Sequence, residues 1–180
     1  MTTVYLGTTN EQISGLFALT LKAAPGATYL AQAQLLAPIA LAQTLITASG
    51  ANTIAALAQT IQANLGIPAT DTAATTTITS YLGTSLATAG PGLIKFLAAA
   101  VAVANPSHTL NSVYGQYASN LVNSLESGLS YSLISANNST DFTVLKAAVA
   151  NANTPVAVPT LTLNTSPATA TAAAEVAFTA

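Results

Sequence analysis

The chain has 180 residues, 51% of them hydrophobic, yet only 4% are charged, against about 25% in an ordinary soluble protein. Arginine and cysteine are absent and the formal net charge is -2, which excludes disulfides, thiolate zinc sites and cysteine nucleophiles. The three lysines, Lys22, Lys95 and Lys146, are too few and too scattered to hold nucleic-acid phosphates or an anionic membrane.

Such a chain must hydrate through Thr, Ser, Asn and Gln, or cover its surface with neighbours. From residue 10 to about 66 it reads as a series of helices. Asn10 is the expected cap of the first, which carries Ile13, Leu16, Phe17 and Leu21 at three- and four-residue spacing. Pro25 and Gly26 break it, and a second helix is expected over 28–36. Pro38 opens a third through Leu41, Leu45 and Ile46, ending near Ser49 and Gly50. A fourth holds Ile54, Leu57, Ile61 and Leu65 and stops at Gly66, before Pro68.

Asp71 is the expected cap of a fifth helix reaching about Leu86. Its run of Thr75, Thr76 and Thr77 disfavours helix, because β-branched side chains lose rotamer freedom there. Ile78, Tyr81, Leu82 and Leu86 nevertheless keep the helical period. Residues 93–104 are the most apolar segment, being apolar on nearly every face, and read as the buried central helix. With about a dozen residues and Lys95 within it, the segment is too short to span a membrane, which takes about 20. The longest helical stretch is expected over 109–135, capped by Ser107 or Thr109. On it Leu110, Val113, Tyr114, Tyr117, Leu121 and Leu125 share an apolar face, and Gly128 is where it can bend or divide. Ser139 or Thr140 is the expected cap of a last helix from Phe142 to about Asn151.

These patterns predict an all-α domain of about six to eight short helices over residues 1–152. Residues 153–180 change character. Thr154, Pro155, Val156 and Pro159 lead into the alternating Thr160, Leu161, Thr162 and Leu163, which read as an extended, β-like linker. The end, from Glu175 to Ala180, reads as a strand start leading towards a further β-rich region. The N-terminus has no basic stretch and no long apolar run, so no Sec signal peptide is expected.

Catalytic constellations are not found. His108 is the single histidine, and beside Pro106 it reads as a helix-start residue rather than a base. Asp71, Asp141, Glu11 and Glu126 are all distant from it in sequence, and a general base needs a partner that orients it. Nucleophile elbow, Walker loop, HExxH and EF-hand patterns are lacking. No enzyme activity, no metal and no cofactor are therefore expected in this segment. One polar pattern is a candidate binding feature. Gln116, Asn120, Asn123 and Ser127 step by four, three and four, forming a stripe on one helix whose amides and hydroxyl suit sugar hydroxyls. The same stripe is what the solvated face of an uncharged helix looks like, and composition favours that plainer reading.

The stretch Leu19-Thr20-Leu21-Lys22-Ala23-Ala24-Pro25-Gly26-Ala27 resembles the helix–turn element that opens the N-terminal domains of bacterial S-layer and RTX-type, type I secreted surface proteins. The Val156–Leu163 and Glu175–Thr179 segments resemble the junction that leads such domains into a calcium-binding β-roll. The chain departs from the family in lacking the Gly-Gly-x-Gly-x-Asp nonapeptide, so any calcium would belong to a C-terminal region beyond it. The resemblance implies a structural domain at the extracellular cell surface that anchors a secreted S-layer to the sugars of lipopolysaccharide O-antigen and meets copies of itself. The alternatives are a self-assembling extracellular filament or coat subunit, and an accessory domain of a secreted RTX enzyme.

Overall fold

The computed structural model describes residues 9–150, which form eight α-helices and one 3-10 turn without a strand among them. The extended reading of residues 153–180 lies outside the described residues, as does the N-terminal start. The fold over the described residues is all-α, as the periodicity predicts.

Helix α1 spans Asn10–Leu21. Its cap lies one residue earlier than expected: the Thr9 hydroxyl accepts the Gln12 N–H at 3.2 Å. Asn10 instead accepts a bond from the Gln34 side chain at 2.6 Å, tying the start of α1 to the end of α2. Lys22 turns left-handed at φ 50° and its N–H closes on the Ala18 carbonyl. Helices α2, Gly26–Ala33, and α3, Pro38–Ala48, follow, with Pro38 in the first turn where its missing N–H costs nothing. Helix α4, Ile54–Leu65, ends at Gly66, whose φ of 80° suits a residue without a Cβ.

Asp71 caps α5, Thr72–Leu82, by accepting the Ala74 N–H at 2.9 Å. The threonine run is helical nonetheless, and each of its hydroxyls has an acceptor. Thr76 donates to the Thr72 carbonyl and Thr77 to the Ala73 carbonyl, while Thr75 donates to the Gln62 side chain. The helix stops at Leu82, four residues short of expectation. Gly83 turns the chain at φ 83°, and Leu86 falls in the 3-10 turn Leu86–Thr88. Helix α6, Gly90–Ala102, and α7, Asn111–Ser132, lead to α8, Phe142–Ala150. Neither Ser107 nor Thr109 caps α7, whose N-cap is Leu110 without a side-chain bond. Asp141 rather than Ser139 or Thr140 caps α8, its carboxylate accepting the Thr143 N–H at 2.8 Å. Ser139 supports it by accepting the Asp141 N–H.

The central helix is α1, not α6. Every residue from Gln12 to Thr20 is buried, and α2, α3, α4, α6 and α7 all pack on it. Helix α6 leaves Pro91, Lys95 and Ala102 exposed. The difference is physical: the large apolar side chains of α6 are buried on one side, and its alanines have methyl groups that lose little by staying part-exposed. Helix α1 can be enclosed because its polar groups are satisfied inside. Ser14 donates to the Leu125 carbonyl at 2.7 Å across to α7, and Thr20 to the Leu16 carbonyl at 2.7 Å. No buried side-chain nitrogen or oxygen among the described residues lacks a partner.

Gly128 does not divide α7, which runs unbroken for 22 residues. Its role is space. A Cβ there would stand 2.8 Å from the Ser14 hydroxyl and 3.4 Å from both Ala24 Cα and Val149 Cγ1. Further on, Gln62 of α4 is a buried hub. Its amide donates to the Pro68 carbonyl at 2.7 Å and the Asp71 carbonyl at 3.0 Å, and accepts the Thr75 hydroxyl. One side chain thus closes the α4–α5 turn.

Two stability measurements check these contacts. Gly-to-Ala within a helix ordinarily stabilises by about 0.5–1 kcal/mol; Gly128→Ala is expected to destabilise by about 1–3 kcal/mol through overpacking, read as a lowered urea midpoint. Gln62→Leu leaves the Pro68 and Asp71 carbonyls without this donor and is expected to cost about 1–3 kcal/mol, read by thermal melting.

Candidate functional site

Two features compete for a functional role: the polar stripe on α7 and a cleft on the other side of the same helix. The structure breaks the stripe. Gln116 is exposed and Asn120 and Ser127 are half-buried, but Asn123 is only 8% exposed. Helices α1, α2, α4, α6 and α8 all contact α7, which leaves little of its middle free. The Gln116 amide donates to the Asn120 side-chain oxygen at 3.1 Å, so the two neighbours on the accessible part already satisfy one another in part. Gln116, Asn120 and Ser127 therefore form a short polar edge, without Asn123. On the same helix, burial pushes the Glu126 carboxyl above its ordinary value.

The cleft lies where the end of α4, the bodies of α5 and α6 and the start of α7 come together without filling the space between them. Its volume is about 410 Å³, within the range of small-molecule pockets, roughly 300–1,000 Å³. Its lining is largely methyl groups and rings. Ala73 and Ala74 of α5, Ala99 and Ala100 of α6 and Ala118 of α7 line it, and alanine side chains are too short to meet across the gap. Tyr81 and Phe96 stand edge to face, their ring centroids 5.6 Å apart, and Tyr114 and Tyr117 are tilted at 6.5 Å. All four rings line the cleft. With about 100° per residue, Tyr114 and Ala118 lie nearly opposite Gln116 around α7, and Tyr117 stands between them and Asn120; neither Gln116 nor Asn120 lines the cleft.

Few polar atoms reach the cleft, and the main ones are oriented. The Tyr114 hydroxyl donates to the Asp71 carboxylate at 3.0 Å, which leaves the phenolic oxygen free to accept. Desolvation by burial raises the Tyr114 pKa above its ordinary value, and the hydrogen bond and charge of Asp71, then Tyr117, raise it further. His108, in the turn before α7, is half-buried and lines the cleft. Its Nδ1 accepts the Leu110 N–H at 3.2 Å, which assigns the proton of the neutral ring to Nε2 and leaves a donor there. None of the three lysines lines the cleft.

Asp71 is distant from Tyr114 in sequence, and the fold brings them together. Its carboxylate serves the α5 cap and Tyr114 at once. Reading Tyr114 and Tyr117 as core residues captures one side of them, since both pack against the core; that they also form a cleft wall depends on the alanines facing them from other helices. No group of three or more His, Asp or Glu side chains able to hold a metal ion occurs among the described residues. No family model, no curated protein and no solved structure matches the chain. No described helix is long and apolar enough to cross a membrane.

The Tyr114–Asp71 bond has a signature at alkaline pH. Because the folded-state pKa of Tyr114 lies above its unfolded value of 10.0, native protein keeps a proton that unfolded chains lose as pH rises past 10. Its contribution is fully present below that pH and declines above it. Tyr114→Phe is expected to lower stability by about 1 kcal/mol at pH 8. It is also expected to flatten the fall of the urea midpoint between pH 10 and 11 relative to the unsubstituted protein.

Proposed function

We propose that this helical domain is the N-terminal attachment module of a secreted S-layer-type surface protein, and that its partner is the neutral sugar of lipopolysaccharide O-antigen. The observation that carries this reading is the chemistry of the exposed surface. Charged groups are few, and hydroxyls, amides and methyls make up the rest. On α5 the outward Thr76, Thr77 and Ser80 donate to carbonyls of their own helix. Thr44, Thr47 and Thr60 do the same on α3 and α4. What such hydroxyls offer outward is acceptor oxygen beside a methyl or methylene group, which matches the donors and apolar faces of a sugar. The accessible Gln116 and Asn120 add amide donors on α7. The resemblance of the 19–27 helix–turn element to S-layer and RTX-type N-terminal domains supports the same assignment.

A second reading, a coat or filament subunit that buries this surface against its own copies, is favoured by a different observation. Leu133 and Ile134, adjacent in the chain at the end of α7, are 60% and 55% exposed, and adjoining large apolar side chains left open to solvent mark a candidate contact surface.

The full chain is expected to co-sediment with purified smooth lipopolysaccharide and not with lipopolysaccharide lacking O-antigen. The Gln116→Ala, Asn120→Ala double variant is expected to weaken binding by about tenfold, the worth of one or two hydrogen bonds. Equal retention on both lipopolysaccharides defeats the anchoring assignment. Light scattering that grows with concentration in the absence of polysaccharide supports the coat subunit instead.

A further inference from the structure

We propose that the cleft between α4, α5, α6 and α7 is a binding site for an uncharged, hydrocarbon-rich small molecule carrying a hydroxyl. This goes beyond the sugar-binding reading and does not depend on it, since neither Gln116 nor Asn120 lines the cleft.

Three observations carry the proposal. The first is volume. At about 30 Å³ for each water-sized group, 410 Å³ takes roughly a dozen carbon-sized groups, the size of a medium-length alkyl chain. Water gains little there, because a lining of alanine methyls and aromatic rings offers few hydrogen-bond partners. The second is polarity. Tyr114 has its proton directed to Asp71, so its oxygen is an acceptor for one ligand hydroxyl. His108 also lines the cleft, and with its Nδ1 taken by Leu110 its remaining donor is Nε2. A hydroxyl, which both donates and accepts, fits this pair. The third is charge. No lysine lines the cleft, and the Asp71 carboxylate stands 3.0 Å behind the Tyr114 oxygen. A carboxylate or sulfate head group would enter without a counter-charge and against a like charge. The site thus selects neutral amphiphiles over anionic ones of equal length.

The mouth is consistent with entry from solvent. Tyr81 and Leu110, both lining residues, are 38% and 47% exposed, and the alanines at 99 and 100 are half-buried.

The test uses the full chain at pH 8 and the neutral dye N-phenyl-1-naphthylamine as the reporter, displaced in parallel by 1-decanol and by decanoate. The chain has no tryptophan, and Tyr81, Tyr114 and Tyr117 among its six tyrosines line the cleft, so tyrosine emission gives a second readout. Decanol is expected to displace the dye at concentrations at least about tenfold below those of decanoate, as one uncompensated charge near Asp71 dictates. Ala100→Phe fills the cleft and is expected to abolish dye and decanol binding with the helical circular dichroism retained. Should that variant fail to fold, Tyr114→Phe serves instead. It is expected to keep dye binding and weaken decanol several-fold, as loss of one hydrogen bond requires. Equal potency of decanol and decanoate overturns the proposal. So does dye binding unchanged in a folded Ala100→Phe chain, or decanol affinity unchanged in Tyr114→Phe.

Discussion

The bundle depends on one close approach, where Ser14 of α1 meets α7 over the missing side chain of Gly128. The Ser14 hydroxyl donates to the Leu125 carbonyl at 2.7 Å, and it fits only because residue 128 has no Cβ. Leu97 of α6 and Leu125 of α7 close over Gly15, and Val149 of α8 and Ala24 close over Gly128. Three other parts of the chain are therefore located by the same few atoms of α1 and α7. A leucine at either glycine would move α7 outward and open α1 to water, and α1 buries Gln12, Ser14 and Thr20. Those polar groups are tolerable in the core only while their partners stay in place.

The seam also explains why a cleft exists. Residues 125–128 hold α7 against α1, whereas the cleft wall is made by Tyr114, Tyr117 and Ala118, about 15 Å away along the helix at 1.5 Å per residue. There α7 faces α5 and α6 through alanines. Helices whose spacing is fixed elsewhere cannot close on alanine, so space is left. Small residues act in opposite senses at the two places: Gly128 of α7 permits contact at the seam, and the alanines of α5 and α6 leave space at the cleft.

Local signals in the sequence carried the helices well. Asp71 as a cap, Pro38 in a first turn and Gly66 at a helix end act through their own backbone and side chain, and the structure places each where that chemistry requires. Caps failed by one or two residues where several candidates adjoin, as with Thr9 against Asn10 and Asp141 against Ser139. The larger miss was the identity of the central helix. Mean apolarity singled out the alanine-rich 93–104 segment, but enclosure depends on neighbours from other helices, and α1 with its serine, threonine and glutamine was the one enclosed. Asn123 shows the same limit within the candidate site. Its spacing puts it in line with Gln116, Asn120 and Ser127, yet packing around α7 buries it. The Tyr114–Asp71 bond, which gives the cleft its polar end, joins residues 43 positions apart and has no local signature at all.

The scarcity of charge takes on a more definite meaning once the hydroxyls are placed. Many exposed threonines direct their protons into their own helices. This removes donors from the surface and leaves acceptor oxygens and methyls. A surface of this kind hydrates without strong directional demands and makes no long-range electrostatic choice of partner. Selectivity must then come from shape and from the few oriented groups that remain. Gln116 and Asn120 supply donors on one side of α7. On the other, the Asp71 carboxylate orients the Tyr114 hydroxyl and disfavours anions. A single carboxylate behind a lining that holds no lysine exerts more influence than one among many. The few charges the chain retains are accordingly where its discrimination between ligands is to be sought.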